Sequence, residues 1–248
     1  DQGRAGLDLE ELERAFQGGA KLFIFSNPNN PTGVIYSREE IGTIAALARR
    51  YGATLIVDEL YSRQVFDGRS YTHLCAQGER PDNLITIIGP SKTESLSGYR
   101  LGVAFGSAPI IDRMEKLQAI VSLRAPGYCQ AVFTSWFAEP EGWLCQRVAE
   151  HQAIRDELLA RFRACPGVAA RTTEAGSYLF PQLPPLAVSG RDFVKILRVH
   201  AGVTVTPGTE FGPQFTSHVR LNFSQDHQAA VAAVDRLCQM AQRYRAQQ

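Results

Sequence analysis

The stretch Gly89-Pro-Ser-Lys-Thr-Glu-Ser-Leu-Ser-Gly-Tyr-Arg-Leu-Gly102 gives the strongest indication of the fold. It is small and polar, and it lies between two apolar segments, Leu84 to Ile88 and Leu101 to Phe105. Short apolar runs bounded by Gly, Pro and Ser are typical of buried strands. The sequence therefore predicts a strand, a loop and a second strand, with Lys92 just after the first strand.

The same alternation extends towards the N-terminus. Lys21 to Ser26 and Ala53 to Val57 are continuous apolar segments, and each predicts a buried strand. Two helices are predicted, Leu9 to Phe16 and Ser37 to Tyr51, because each begins with a capping-box pattern. With a third helix predicted at Ile110 to Val121, the pattern indicates an α/β fold whose sheet is covered by helices on both faces.

The second half of the chain has a different pattern after Pro126. A long helical stretch, Gln130 to Phe162, is interrupted near Pro140-Glu-Gly142. Shorter elements follow, namely strands at Ser177 to Leu183, Val203 to Thr206 and His218 to Phe223, and helices at Ser189 to His200 and Gln225 to Tyr244. We therefore predict a domain boundary near residue 125, with residues 1–125 in a large domain and residues 126–248 in a small α+β domain.

Composition excludes several classes of protein. A net charge of +1 over 248 residues provides no field that would attract nucleic acid or an anionic membrane. We find no apolar run of the length that a membrane span needs. The N-terminal Asp1-Gln-Gly-Arg4 has no apolar segment behind a basic one, so we expect no signal peptide. Five cysteines without a CxxC pair argue against a disulfide framework or a metal site. We expect a cytoplasmic protein.

Four polar clusters lie at or near the ends of predicted strands. Besides Gly89 to Gly102 they are Ser26-Asn-Pro-Asn-Asn-Pro-Thr-Gly33, Val57-Asp-Glu-Leu-Tyr61 and Val219-Arg-Leu-Asn-Phe-Ser224. Taken singly, each is explained by a turn, a helix cap or a solvated side chain. In open α/β sheets, however, ligands bind beyond the carboxyl ends of strands. The joint occurrence of the clusters therefore predicts a binding site.

In these motifs the chain resembles the class I/II aminotransferase family of fold-type I pyridoxal-phosphate (PLP) enzymes. The resemblance covers essentially the whole chain. It implies a seven-stranded, mostly parallel sheet in a large PLP-binding domain and a small α+β C-terminal domain. It also implies a homodimer with active sites at the interface, and amino-acid and keto-acid substrates. By this resemblance the chain would begin near the midpoint of family members and lack the N-terminal part of the large domain. Either the chain is a fragment or that part lies elsewhere.

The resemblance assigns the catalytic roles to three residues. Lys92 would form the Schiff base with the aldehyde of PLP and then move the Cα proton as base and acid. Asp58 would face the pyridine nitrogen, where its negative charge keeps that nitrogen protonated. Tyr61, together with Asn30, matches the pair that hydrogen-bonds the phenolic oxygen of PLP and so lowers the Schiff-base pKa.

Two arginines match the anion-binding residues of the family. Arg100 corresponds to the arginine that pairs with the PLP phosphate, for which a fork-shaped guanidinium is suited. Arg220 corresponds to the arginine that binds the substrate α-carboxylate, with Asn30 as a further substrate-binding residue. The loop before its strand, Pro207-Gly208 with Phe211-Gly212, also matches the family.

The chain departs from the family pattern at two positions. Gly89 stands where many members have a serine that contacts the phosphate, so Ser91 is the nearest hydroxyl and our candidate for that contact. Glu94 stands where the family often has an aromatic or neutral residue. A solvated or helix-capping carboxylate is one interpretation of Glu94. The other is a counter-charge for a basic substrate side chain or a second active-site carboxylate.

Two alternatives to transamination stay open. The same lysine, aspartate and arginine serve PLP-dependent oxidases or hydroxylases, cyclases and lyases, and the Thr93-Glu-Ser-Leu-Ser97 loop weakly resembles enzymes that oxidise or cyclise arginine. A protein of another class, a transcription regulator with an aminotransferase-like effector domain, would carry a DNA-binding domain upstream. Balanced charge and the intact set of Lys92, Asp58 and Arg220 favour an enzyme.

Overall fold

The computed structural model describes residues 6–246, which form two compact units. The N-terminal unit comprises residues 6–29 and 34–146, and the C-terminal unit comprises residues 30–33 and 147–246. The N-terminal tetrapeptide on which the absence of a signal peptide was predicted lies outside the described residues. No helix among residues 6–246 has the length and apolarity needed to cross a membrane.

The N-terminal unit is built on a four-stranded sheet in the order β1-β2-β3-β4. Its strands are β1 (Leu22–Ser26), β2 (Thr54–Asp58), β3 (Leu84–Ile88) and β4 (Val103–Gly106). The first three strands are parallel, and β4 is antiparallel to β3. The α/β class with a mostly parallel sheet is therefore confirmed. Because Ser26 pairs with Asp58, and Asp58 with Ile87, three strand ends meet at one edge of this sheet.

Local sequence signals determine the helices of this unit, α1 (Leu9–Gln17), α2 (Arg38–Tyr51), α3 (Ala108–Val121) and the short α4 (Gly127–Gln130). Before α2, the Ser37 side chain accepts from the Glu40 N–H while the Glu40 carboxylate accepts from the Ser37 N–H, as the capping-box pattern predicts. Gly52 ends α2 in the left-handed conformation, which glycine adopts without steric cost.

One face of the sheet packs on α1 and α2. The core there joins side chains of α1, α2, β1 and β2, among them Phe16, Phe25, Ile44 and Leu55. On β1 the alternate side chains Leu22 and Ile24 are exposed. The prediction was that helices cover both faces of the sheet. At β1 this holds for one face only, because no helix among residues 6–246 covers the face that bears Leu22 and Ile24.

The C-terminal unit combines a small antiparallel sheet, in the order β5-β7-β6, with three helices. The strands are β5 (Tyr178–Leu179), β6 (Thr206–Pro207) and β7 (Val219–Asn222), and the helices are α5 (Trp143–Ala164), α6 (Gly190–Ile196) and α7 (His227–Arg243). Helix α5 begins four residues inside the N-terminal unit and continues into this one.

Several elements are shorter than the sequence predicts. The strand expected at Ser177 to Leu183 is reduced to β5 and an isolated bridge at Gln182, because Pro181 has no N–H for a ladder. The helical stretch after Gln130 breaks where Phe137 and Gly142 take positive φ angles, which a right-handed helix cannot contain.

The compact units divide between Gln146 and Arg147, later than the boundary predicted near residue 125. A physical reason is that the intervening segment packs within the N-terminal unit: Arg63 contacts Glu139 and lies over the ring of Phe137. The division into domains at residues 1–125 and 126–248 stays a prediction.

Candidate active site

Lys92 lies in a tight turn that begins where β3 ends. The Ser95 N–H donates to the Lys92 carbonyl (3.1 Å), and the Leu96 N–H donates to the Pro90 carbonyl (3.1 Å). The Lys92 side chain is partly buried, and its Nζ lies 5.8 Å from the centroid of the Tyr61 ring. The structure therefore brings together the predicted Schiff-base lysine and the predicted phenol donor.

Asp58 is the last residue of β2, on the strand next to β3. Its Oδ1 accepts a hydrogen bond from the Leu60 N–H (3.0 Å), so the carboxylate caps the turn that leads to the buried Tyr61. Asp58 pairs with Ile87 in the sheet register, close to the start of the Lys92 turn. The carboxylate, the phenol and the amine thus come from two adjacent parallel strand ends of the N-terminal unit.

The structure gives a reason for glycine at position 89. A Cβ built there would lie 3.0 Å from the Leu60 side chain and 3.3 Å from both the Gly102 Cα and the Leu101 carbonyl. The start of the Lys92 turn therefore packs tightly on the beginning of the next strand. Ser91, the predicted substitute for a phosphate-binding serine, is partly buried directly before Lys92.

Arg100 is exposed and closes a 3-10 turn, Ser97–Tyr99, in the left-handed conformation with φ 52°. Its Nη1 donates to the Ser97 carbonyl (3.0 Å). The guanidinium is thus available to an anion, as the phosphate role requires.

Arg220 projects from the central strand of the C-terminal sheet between two aromatic rings. Its guanidinium carbon lies 4.2 Å from the ring centroid of Tyr178 and 4.7 Å from that of Phe211. Nη1 donates to Asn30 Oδ1 (3.0 Å) and Nη2 to Thr206 Oγ1 (3.3 Å). Sequence reasoning missed Tyr178 and Thr206, although strand alternation around Arg220 was a usable signal.

The predicted alternation on β7 is confirmed. Val219, Leu221 and Phe223 are buried, while Arg220 and Asn222 lie on the other face. The strand therefore buries one row of apolar side chains and presents Arg220 on the opposite side.

The Asn30–Gly33 segment belongs to the same unit as Arg220. Gly33 has a positive φ of 68°, and its carbonyl accepts from the N–H groups of Glu174 and Ala175 (both 3.0 Å). A Cβ at Gly33 would lie 2.2 Å from Thr173 Cγ2, so only glycine fits. This anchor holds Asn30 beside Arg220; whether Asn30 also binds the cofactor stays a prediction.

A group of polar side chains formed by Glu59, Tyr71 and His73, next to the end of β2, was not predicted. The Glu59 carboxylate is 1 % exposed and contacts His73 Nδ1, while the Tyr71 hydroxyl donates to the Asn27 carbonyl. The hydrogen bond to Glu59 raises the pKa of His73, and burial raises that of Tyr71 well above its ordinary value. The Asn27 N–H donates to the Asp58 carbonyl, which connects this group to the strand end that bears Asp58.

The chemistry of the predicted site residues fits PLP. The N-terminal unit offers an amine for the aldehyde, a carboxylate for the pyridine nitrogen, a phenol for the phenolic oxygen and an exposed guanidinium for the phosphate. Within residues 6–246 no cluster of three or more His, Cys, Asp or Glu side chains could hold a metal ion.

Comparison with known proteins indicates the same family that the sequence motifs resemble. The family model "Aminotransferase class I and II" matches residues 1–237. An aspartate aminotransferase of Pyrococcus horikoshii is 26 % identical over 232 residues, which are 93 % of this chain and 59 % of that protein.

Solved structures extend the comparison. The crystal structure of an aspartate aminotransferase from Rhodobacter sphaeroides is similar with a TM-score of 0.96 and 67 % identity, over 99 % of this chain and 62 % of that one. A PLP-bound protein of Clostridium difficile 630 has a TM-score of 0.88 at 19 % identity, over 97 % of this chain and 63 % of that one, which shows the fold alone. The chain thus spans less than two thirds of the length of these relatives.

Proposed function

The chain belongs to the class I and II aminotransferase family, and on that premise we propose that the whole protein is a PLP-dependent aminotransferase acting on an α-amino acid through a Schiff base on Lys92. The observation that carries the proposal is the arrangement of Lys92, Tyr61 and Asp58 at adjacent strand ends. The proposal includes α-keto acids as co-substrates and, from the family resemblance, a cytoplasmic homodimer.

When bound, the cofactor supplies a conjugated ring that withdraws electrons from the substrate Cα. Asp58 holds a proton on the pyridine nitrogen through its negative charge. Tyr61 donates its hydroxyl to the phenolic oxygen. Arg100 and Ser91 bind the phosphate, because a guanidinium and a hydroxyl both donate to its oxygens.

Substrate binding and proton movement are assigned to the remaining residues. Arg220 binds the α-carboxylate with its planar fork, and Asn30 keeps that fork oriented through its Oδ1. Lys92 Nζ would take the proton from the substrate Cα as a general base and, once protonated, would donate it again as a general acid.

The test of the Schiff-base lysine is reduction of the whole PLP-loaded protein with borohydride, followed by peptide mass spectrometry. We expect the cofactor to be fixed on Lys92, and Lys92→Ala to abolish the labelling. Lys116→Ala, on α3, is the matched control and should leave the labelling unchanged. Label on another lysine in the wild-type protein would disprove the assignment.

The reaction type is tested by incubating the same protein with amino acids in the presence and absence of an α-keto acid. Turnover that depends on the keto acid supports transamination. Oxygen uptake without a keto acid would support the oxidase alternative instead.

A further inference from the structure

Arg63 is a largely buried cation with two carboxylate partners. Its Nη1 donates to Glu94 Oε1 and its Nη2 to Glu139 Oε1. The three side chains are 17 %, 10 % and 22 % exposed, and the guanidinium carbon lies 4.6 Å from the centroid of the Phe137 ring. This arginine is therefore held from several directions, unlike a solvated surface arginine.

The pair Arg63–Glu94 connects the two loops that carry the predicted catalytic groups. Arg63 follows Tyr61 by two residues, and Glu94 follows Lys92 by two residues. Two residues of chain span at most about 7 Å, so the ion pair ties the two loops together close to Lys92 and Tyr61. Thr93, between Lys92 and Glu94, is 2 % exposed, so this short connection is itself packed.

The structure also argues against one interpretation of Glu94. Its carboxylate is not a solvated group, because Oε1 is bound to Arg63 and Oε2 is buried with no hydrogen-bond partner among residues 6–246. A half-satisfied buried carboxylate depends strongly on its cation. Loss of Arg63 would leave Glu94 and Glu139 without the charge that both of them face, and the Lys92 loop would have to rearrange.

We propose that Arg63 and Glu94 are positioning residues whose ion pair holds Lys92 in place relative to Tyr61 and thereby sets the pH at which the Schiff base gains its proton. This inference rests on the proposed function. A hydrogen bond from Tyr61 to the phenolic oxygen favours the unprotonated Schiff base and lowers its pKa. If the two loops separate, the hydrogen bond weakens and that pKa rises.

The test is an absorbance titration of the PLP-loaded whole protein against pH. Arg63→Met should raise the Schiff-base pKa by about one unit or more, the size of shift that a lost specific contact produces. Glu94→Gln should raise it less, because the amide keeps the shape and one acceptor, and Arg63→Lys should recover part of the Arg63→Met shift. Arg49→Met is the matched control, since its pair with Glu79 is exposed and the two residues precede β2 and β3 respectively, at the edge of the sheet opposite to both loops.

The outcomes separate this proposal from its premise. Unshifted titrations in Arg63→Met and Glu94→Gln, with only a lower unfolding temperature, would show a purely structural ion pair and overturn the proposal. If Arg63→Met does not fold, the titration of Glu94→Gln decides. A wild-type protein without a Schiff base on Lys92 would overturn the proposed function as well, and borohydride labelling detects that separately.

Discussion

Arg220 and Arg100 are both assigned to anions, and the structure holds them very differently. Arg220 lies between the rings of Tyr178 and Phe211 with hydrogen bonds to Asn30 and Thr206. Arg100 is exposed, and its guanidinium donates to a carbonyl of its own turn. One guanidinium is therefore oriented by its own unit, as recognition of a planar carboxylate would need, whereas the other can adjust to an anion.

The largest effect is expected at Asp58. Its proposed role is to place a negative charge next to the ring nitrogen, which neither arginine can do. Asp58→Ala should lower the rate of transamination by several orders of magnitude, because the charge that keeps the ring nitrogen protonated is lost. Asp58→Asn is the matched variant, since its amide oxygen can still accept from the Leu60 N–H. Steady-state kinetics measure both, and a fall below tenfold, about 1.4 kcal/mol, would contradict the role.

A smaller effect should test the comparison itself. Arg220→Lys keeps the charge but loses the fork that Tyr178 and Phe211 hold, so we expect the dissociation constant for every amino acid to rise about 100-fold. PLP affinity should stay unchanged. Arg100→Lys is the matched control and should weaken PLP by about tenfold or less, because an open site tolerates a lysine on phosphate. Spectroscopic titrations measure both constants, and release of PLP by Arg220→Lys would mean that the two roles are reversed.

The smallest effect is expected away from both arginines, at the Glu59–His73 contact. The hydrogen bond to Glu59 raises the pKa of His73 in the folded state. The stabilisation of the folded state by this contact is therefore complete below the pKa of an unfolded histidine, about 6.5. It is lost as the pH rises through the pKa of His73 in the folded state. Because the His73 side chain is 45 % exposed, we expect the contact to contribute well under ~1 kcal/mol to the free energy of unfolding.

Denaturant unfolding of the whole protein at about pH 6 and about pH 9 measures this dependence. His73→Gln should reduce the loss of unfolding free energy between the two conditions. His200→Gln, at an exposed histidine, should not change it. Equal pH dependence in wild type and His73→Gln would count against the contact.

The sequence predicts best where the signal is local. The capping box at Ser37 and Glu40 and the left-handed Gly52 bound α2 as expected, and the strand Leu84–Ile88 was predicted with its observed bounds. The positions of Lys92, Asp58 and Tyr61 after strand ends follow from the same signals, because parallel strands bring their carboxyl ends to one edge.

The rest depends on partners distant in sequence. In the sequence nothing distinguishes Arg63 from a surface arginine, because its partners Glu94 and Glu139 are distant along the chain. Likewise, no local pattern predicts that Tyr178 and Phe211 enclose Arg220. The predicted strand at Ser177 to Leu183 failed for another reason, since its apolar pattern was right but Pro181 cannot donate to a ladder.

The Asn30–Gly33 segment has a consequence for the order of folding. Within residues 6–246 the chain passes between the two compact units three times, after residues 29, 33 and 146, so the C-terminal unit is not one continuous piece of chain. The contact between Asn30 and Arg220 joins residues 190 positions apart. The Gly33 carbonyl can accept its two hydrogen bonds only once Glu174 and Ala175 are in place. During synthesis the loop emerges long before its partners, so the surroundings of Arg220 are completed late, when the entropy of closing a long loop has been overcome.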